Sequence, residues 1–257
     1  MPHLARIVIY PVKSFDGIAV EEAKLLPSGA LEHDRQFALF DGQGKILNAK
    51  RTPRFHLLRT ALDPAVRSLT LMGSGTQRQF QLDADRAALD EWLSRFFGLA
   101  VRLEENEANG FPDDTLARGP TVISSATLSD VTSWFDGLSL ADIQRRFRAN
   151  LEIDGVEPFW EDKLYSEEGR GVRFQIGQVL LEGTNPCQRC VVPTRSPETG
   201  IRYDEFAAVF EARRYETLPD WATRSRFDHF YRLAVNTRPV AGNSGTIHVG
   251  DAVSIID

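Results

Sequence analysis

The sequence predicts a mainly β fold with helices at its periphery, and three observations carry that prediction. Runs rich in Val, Ile, Leu and Phe are short and recur along the whole chain, most of them closed by glycine, proline or aspartate. Two closures, Asp41-Gly42-Gln43-Gly44 and Gly73-Ser74-Gly75, sit between apolar runs as hairpin turns do. Few windows repeat apolar residues at helical spacing, the clearest covering residues 83–97. Short, glycine-turned strands that outnumber helices imply an α+β chain dominated by a β-barrel with peripheral helices.

In chain order, residues 5–12 (Ala-Arg-Ile-Val-Ile-Tyr-Pro-Val) read as a strand ended by proline, followed by Lys13-Ser14 and the turn Phe15-Asp16-Gly17. Residues 37–40 and 45–47 flank the first hairpin turn, and residues 68–80 form the second hairpin. Gly73 and Gly75 make only a turn, because a dinucleotide loop needs a third glycine and a helix opening after it. Asp83 is placed to cap a helix through Phe97, with Leu89, Trp92, Leu93 and Phe96 on one apolar stripe before Gly98. Residues 104–119 are acidic and broken by glycine and proline, which predicts a mobile connector or a domain seam.

Residues 121–124 read as a buried strand feeding a helix around 128–135, capped by Thr127 or Ser129. Such a strand–turn–helix aims backbone donors at its mouth, where an anion is stabilised. A second helix is expected over 140–147, then strands over 150–154 and 172–181 with a turn at Gly177. A helix over 203–213 turns Phe206, Val209 and Phe210 inward, and residues 245–256 make two strands about Gly250-Asp251.

Composition narrows the function. A net charge of −6 argues against nucleic acid as partner, yet thirty Lys and Arg remain, enough for a locally positive pocket that suits a small anion. No window approaches the roughly 18 apolar residues of a membrane span. The start, Met1-Pro2-His3-Leu4-Ala5-Arg6, lacks the basic segment and apolar run of a secretory signal, so a cytoplasmic location with reduced thiols is expected.

Both cysteines, Cys187 and Cys190, lie in one stretch with Arg189 between them and Pro186, Pro193, Pro197 and Gly200 around them. The prolines forbid a regular helix, and Val191-Val192-Pro193 reads as extended. A stiff loop is therefore expected to leave a strand and present thiols beside a guanidinium, which favours thiolate. Inert packing is the alternative. A chain of this size needs no disulfide staple, zinc wants about four ligands, and thioredoxin chemistry wants the pair opening a helix. An isolated thiolate ligand or a sulfur nucleophile remains.

Cationic groups cluster elsewhere. Lys13-Ser14 offers an ammonium and a hydroxyl at a loop mouth. Asp34-Arg35 begins a strand, and a surface ion pair would explain it. Arg145-Arg146-Phe147-Arg148-Ala149-Asn150 places three guanidiniums at a helix end, where they answer the dipole or fork onto phosphate oxygens. Asn150 there has the donor and acceptor to read a heterocycle edge. The five histidines are scattered, with no ligand-spaced pair.

Taken together, Tyr10-Pro11-Val12-Lys13-Ser14, His33-Asp34-Arg35, Arg146-Phe147-Arg148-Ala149-Asn150, Cys187-Gln188-Arg189-Cys190 with Pro193-Thr194 and Pro197-Glu198-Thr199-Gly200, and Gly245-Thr246-Ile247-His248-Val249-Gly250-Asp251 resemble, in order, the MOSC-domain family and its amidoxime-reducing branch. The resemblance implies an N-terminal β-barrel domain over residues 1–112 and a MOSC domain over 113–257. It implies a molybdenum cofactor, a molybdopterin whose metal is bound by the Cys190 thiolate, with Cys187 a neighbour. Lys13, Ser14, Arg35, Arg148 and Asn150 match positions that hold the pterin and its phosphate; Arg189, Ser124 and Thr127 lie in matching segments. The implied activity is reduction of small N-hydroxylated substrates (hydroxylamines, amidoximes, N-hydroxylated bases). Electrons are expected from a separate iron–sulfur, flavin or cytochrome protein, because no cysteines remain for a cluster. The other reading is a carrier of cofactor or of sulfur as a cysteine persulfide.

Overall fold

In the computed structural model, which describes residues 1–256, the branched run at the N-terminus forms β1 (His3–Ile9), with Leu4, Ile7, Val8 and Ile9 buried. Pro11, which has no N–H to donate, stands just beyond its end. There follow β2 (Ile18–Val20), β3 (Glu22–Leu25), β4 (Phe37–Asp41), β5 (Ile46–Leu47), β6 (Arg59–Leu62), β7 (Ser68–Gly73), β8 (Thr76–Gln81), helix α1 (Arg86–Phe97) and β9 (Val101–Glu105). Both hairpins form as the turn residues predict: β4 pairs with β5, and β7 with β8. Strand β9 adds to β4 and β6 to β7, giving two three-stranded sheets. Their core, with Phe37, Leu39, Phe55 and Leu69, is covered by Leu89, Leu93 and Phe96 of α1.

The second half contains β10 (Val122–Ser124), α2 (Ser125–Ser133), α3 (Leu140–Phe147), β11 (Leu151–Asp154), β12 (Val172–Ile176), β13 (Val179–Gln188), α4 (Phe206–Glu216), β14 (Arg232–Pro239), β15 (Gly245–His248) and β16 (Val253–Ile256). An eight-stranded sheet runs in the order β16-β12-β13-β14-β10-β11-β1-β2, antiparallel except where β10 lies parallel to β11. That pair needs a crossover, and α2 with α3 supplies it. The N-terminal strands are thus built into the sheet of the second half. Ile7 and Leu25 share its core with Leu151, Phe174, Val235 and Ile247, and β3 pairs with β15. A single bridge, His3 to Ala252, joins β1 to the approach to β16. Strands dominate a mixed α+β architecture, and their pairings close no barrel among the described residues. No helix among them is long and apolar enough to cross a membrane.

Several boundaries differ from expectation for local reasons. Helix α1 starts at Arg86 after Asp85, whose carboxylate takes the Gln81 N–H; Asp83 pairs with Arg67 at 3.1 Å. Helix α2 is capped neither by Thr127 nor by Ser129 but by Ser124, whose Oγ accepts the Thr127 N–H at 3.0 Å. Val192–Thr194 forms one 3₁₀ turn where an extended chain was expected; Pro193 fits its first turn, where a helix leaves N–H groups unused. Helix α4 begins at Phe206, because the Tyr203 N–H is donated back to Thr194 O.

The connector between the halves has no strand or helix over residues 106–121, but it is sewn down at both ends. Phe111 N–H donates to Arg35 O at 2.8 Å and Gly119 N–H to Thr237 O at 2.9 Å. A Cβ on Gly119 would stand 2.4 Å from Thr237 Oγ1 and 2.6 Å from its carbonyl oxygen, so only glycine permits this approach. Gly119→Ala is therefore expected to cost about 1–3 kcal/mol, read as a lowered thermal midpoint.

Candidate functional site

Where the connector passes between the two halves it overlies a cavity of about 1190 Å³. Eleven Lys and Arg side chains line it against five Asp and Glu, an excess of six, in a chain whose net charge is −6. Lys13, Ser14, Arg35, Arg148, Asn150, Arg189 and Cys190 all face this one space, although they are spread over 178 positions between Lys13 and Cys190. Ser14, Arg35 and Arg148 are non-glycine residues with φ of 72°, 52° and 54°. Left-handed backbone costs such residues on the order of 1 kcal/mol and is kept where it aims a group. Arg148 owes its conformation to its place as the C-cap of α3, which turns its side chain off the helix.

The cationic residues are held in different ways. Lys13 Nζ is buried and donates to Phe111 O at 2.8 Å and to Asp113 Oδ1 at 2.7 Å. Burial pulls its pKa down, partly offset by Asp113. Burial opposes ionisation of Asp113 too, yet Lys13, then Lys50 and Arg35, hold its carboxyl well below the usual range. Arg35 is paired with Asp34. The Arg148 guanidinium carbon stands over the Tyr10 ring, 4.0 Å from its centroid, and the side chain makes no hydrogen bond or ion pair among the described residues. Burial pulls its pKa down as well. An unpartnered guanidinium in a cavity is available to an anionic ligand.

Two expectations change. Asn150 is 1% exposed and its amide is consumed by the fold. Nδ2 donates to Val8 O at 3.0 Å and Asp34 Oδ1 at 3.2 Å, while Oδ1 accepts from the Thr121 N–H, the Thr121 hydroxyl and Arg35 Nη1. It positions Arg35 and the connector's end and has no free edge for a heterocycle. Ser124 and Thr127 do not reach the cavity: both are fully buried, bonded to each other at 2.7 Å and to Glu161 Oε2. Their expected anion site is thus taken by a buried carboxyl, whose pKa burial and Asp162 push up to about 7. Ser14 does line the cavity, and its Oγ accepts the Ala49 N–H at 3.0 Å.

Strand β13 carries Cys187, and Cys190 follows two residues past its end; both thiols are free and partly exposed. Arg189 Nη1 stands 3.2 Å from the sulfur of Cys187, not Cys190, and Nη2 donates to Phe147 O. The loop beyond is clamped from α3. Arg146, 4% exposed, donates to Pro193 O and Arg195 O, both at 2.7 Å. Arg145 donates to Pro197 O at 3.1 Å and Glu198 Oε1 at 3.2 Å. Two of the three arginines read as phosphate forks or dipole partners are therefore loop anchors.

Comparison with known families decides the relationship. A model of the MOSC N-terminal beta barrel domain matches residues 1–118, and one of the MOSC domain matches residues 120–254. The chain belongs to the MOSC family. Human mitochondrial amidoxime-reducing component 1 is 26% identical over 301 residues, covering 98% of this chain and 82% of that protein. Its mouse counterpart is 25% identical over 300 residues with the same coverage. Human molybdenum cofactor sulfurase is 26% identical over 263 residues, covering 82% of this chain and 29% of the sulfurase.

In this MOSC protein the first matched region supplies Lys13, Ser14 and Arg35 to the cavity, and the second supplies Arg148, Asn150, Arg189 and Cys190. It also brings in groups no sequence signal marked. His56, on a 3₁₀ turn (Pro53–Leu57), lines the cavity at 9% exposure with Nε2 unpartnered. Burial, then Arg195, Arg59, Arg148 and Arg146, lower its pKa from 6.5 to about 4. All of those arginines but Arg59 are remote in sequence, so a lone histidine gave little sign of the field around it.

Two outcomes are expected. Asn150→Ala costs on the order of 2–4 kcal/mol by orphaning buried partners on β1 and the connector, measurable by chemical denaturation. His56 binds a proton less readily folded than unfolded, so its stabilising contribution is complete above pH 6.5 and is lost as pH falls through about 4. His56→Gln should accordingly lose less thermal stability than the parent across that window.

Proposed function

We propose that the chain reduces N-hydroxylated compounds to the parent amine or amidine, using a molybdenum cofactor held in the arginine-lined cavity. The observation that carries this reading is a partly exposed thiol, Cys190, facing a space with six surplus cations, among them the unpartnered Arg148. The name of a relative spanning 98% of the chain, an amidoxime-reducing component, supports the substrate class.

The residues fit such a cofactor. A soft thiolate suits molybdenum, and its phosphorylated organic chelate needs cations. Among the described residues no group of three or more His, Cys, Asp or Glu is placed to hold a metal ion, so the remaining donors would belong to the chelate. Cys190 would hold the metal; Lys13, Ser14, Arg35 and Arg148 would hold the anionic chelate, with Asn150 and Arg189 orienting their neighbours. When bound, the cofactor supplies two-electron chemistry at the N–O bond. The balance is R–NH–OH plus two electrons and two protons giving R–NH₂ and water, with the electrons from a separate iron–sulfur, flavin or cytochrome protein. In this reading residues 1–112 and 113–257 are two domains that each contribute one wall of the site.

A second reading, a sulfur or cofactor carrier, is favoured by the Arg189 guanidinium lying against Cys187, where it would stabilise a persulfide anion. It accords with the sulfurase relative.

Protein made in a cofactor-competent host is expected to hold close to one molybdenum per chain by elemental analysis. Cys190→Ser should strip the metal while Cys187→Ser keeps it. With reduced viologen as donor, an amidoxime should yield amidine; metal retained without amidine would establish the carrier instead.

A further inference from the structure

Three cavity residues stand outside the cofactor set. His56 and Arg59 leave one short turn and the strand after it, β6, while Arg145 sits in the last turn of α3. The Pro197-Glu198-Thr199-Gly200 turn brings them together. Arg145 donates to Pro197 O and Glu198, and a Cβ on Gly200 would stand 3.0 Å from Pro53 O and 3.4 Å from His56 Cβ. This group shares no hydrogen bond with Lys13, Arg35 or Asn150.

We propose that Arg59, Arg145 and His56 form a subsite for a carboxylate on the substrate, so that the preferred substrate is an N-hydroxylated compound bearing an acidic group. The proposal rests on the reductase reading above for the word substrate, but not for the binding itself. Both arginines already hold carboxylates of this chain: Arg59 Nη1 meets Asp16 Oδ1 at 3.0 Å, and Arg145 Nη1 meets Glu198 Oε1 at 3.2 Å. Glu198 is 70% exposed, so that pair is weak and yields to a better-placed acid. His56 Nε2 is buried and unpartnered, and burial, then the surrounding guanidiniums, keep the ring neutral, so in the tautomer protonated at Nε2 it is a donor without an acceptor in this chain. The charge count agrees. A phosphate carries at most about two negative charges, against a surplus of six cations in the cavity. Paired guanidinium forks match the planar, two-oxygen geometry of a carboxylate.

Calorimetry on metal-free protein tests the subsite without turnover, using benzamidine and its para-carboxylate, the products of the corresponding amidoximes. The carboxylate should bind about 10- to 100-fold more tightly, and Arg59→Gln or Arg145→Gln should erase most of that ratio. Because Arg145 also anchors the loop, Glu198→Gln provides the opposite sign: removing the competing acid should tighten carboxylate binding, which damage to the fold would not do. In the viologen assay the same ratio should appear in KM. Equal affinity for the two amidines, or no tightening in Glu198→Gln, overturns the subsite. Discrimination in binding with no turnover of either amidoxime leaves the subsite standing and removes the reductase.

Discussion

The buried guanidinium of Arg146 fixes the geometry on which the rest depends. It reaches out of α3 to two carbonyls, Pro193 O and Arg195 O, on the segment that carries Cys190. Backbone oxygens of a proline-rich stretch have few strand partners, and a charged donor satisfies two at once. Arg195 then carries the same segment across the seam by donating to Ala49 O at 3.0 Å. Thiol, helix and N-terminal half are thereby referenced to one another without a disulfide or a regular element through the loop. Arg146 also packs against the Phe206 ring, so the clamp is continuous with the aromatic layer of Phe135, Phe147, Phe206 and Phe210.

Charge is distributed in the same spirit. An acidic chain gathers its surplus of positive side chains into one hollow, where several lack a carboxylate within reach. Such crowding opposes folding, and here it is moderated by ring faces and carbonyls: Tyr10 is flanked by Arg148 and Arg35, with centroids 4.0 and 5.2 Å away. Rings and carbonyls soften the repulsion without cancelling the field. The hollow keeps its attraction for anions, and His56 stays unprotonated first because it is buried and then because of that field.

Much of this was legible from residue order, and the exceptions have identifiable causes. Hairpins with glycine turns, the α3 helix at residues 140–147 and the tail strands follow from local chemistry, and the structure has them where the pattern put them. Lys13, Arg35 and Cys190 stood out by composition and motif, and all three line the one cavity. What failed was anything decided by long-range partners. Asn150 looked free to read a ligand until Val8, Asp34 and Thr121 claimed its amide. Ser124 and Thr127 looked like a phosphate cradle until Glu161, 37 and 34 positions away, filled it. His56 had little local signature, since its character comes first from burial and then from arginines of which only Arg59 is its neighbour in sequence.

The place of β1 in the sheet carries a consequence for how the molecule is made. Its partners β11 and Ala252 lie about 145 and 250 residues further along the chain, so it completes its pairing only once they are in place. Until then a Val/Ile-rich edge waits unpaired, the kind of segment that associates with other chains. The first half has its own core under α1, while the large sheet is joined to the N-terminal strands only when β11 docks on β1, a pairing of high contact order and slow by nature. Any state in which β11 has not yet docked therefore leaves that edge open to other chains, and the early docking of β11 is what keeps the molecule from associating through it.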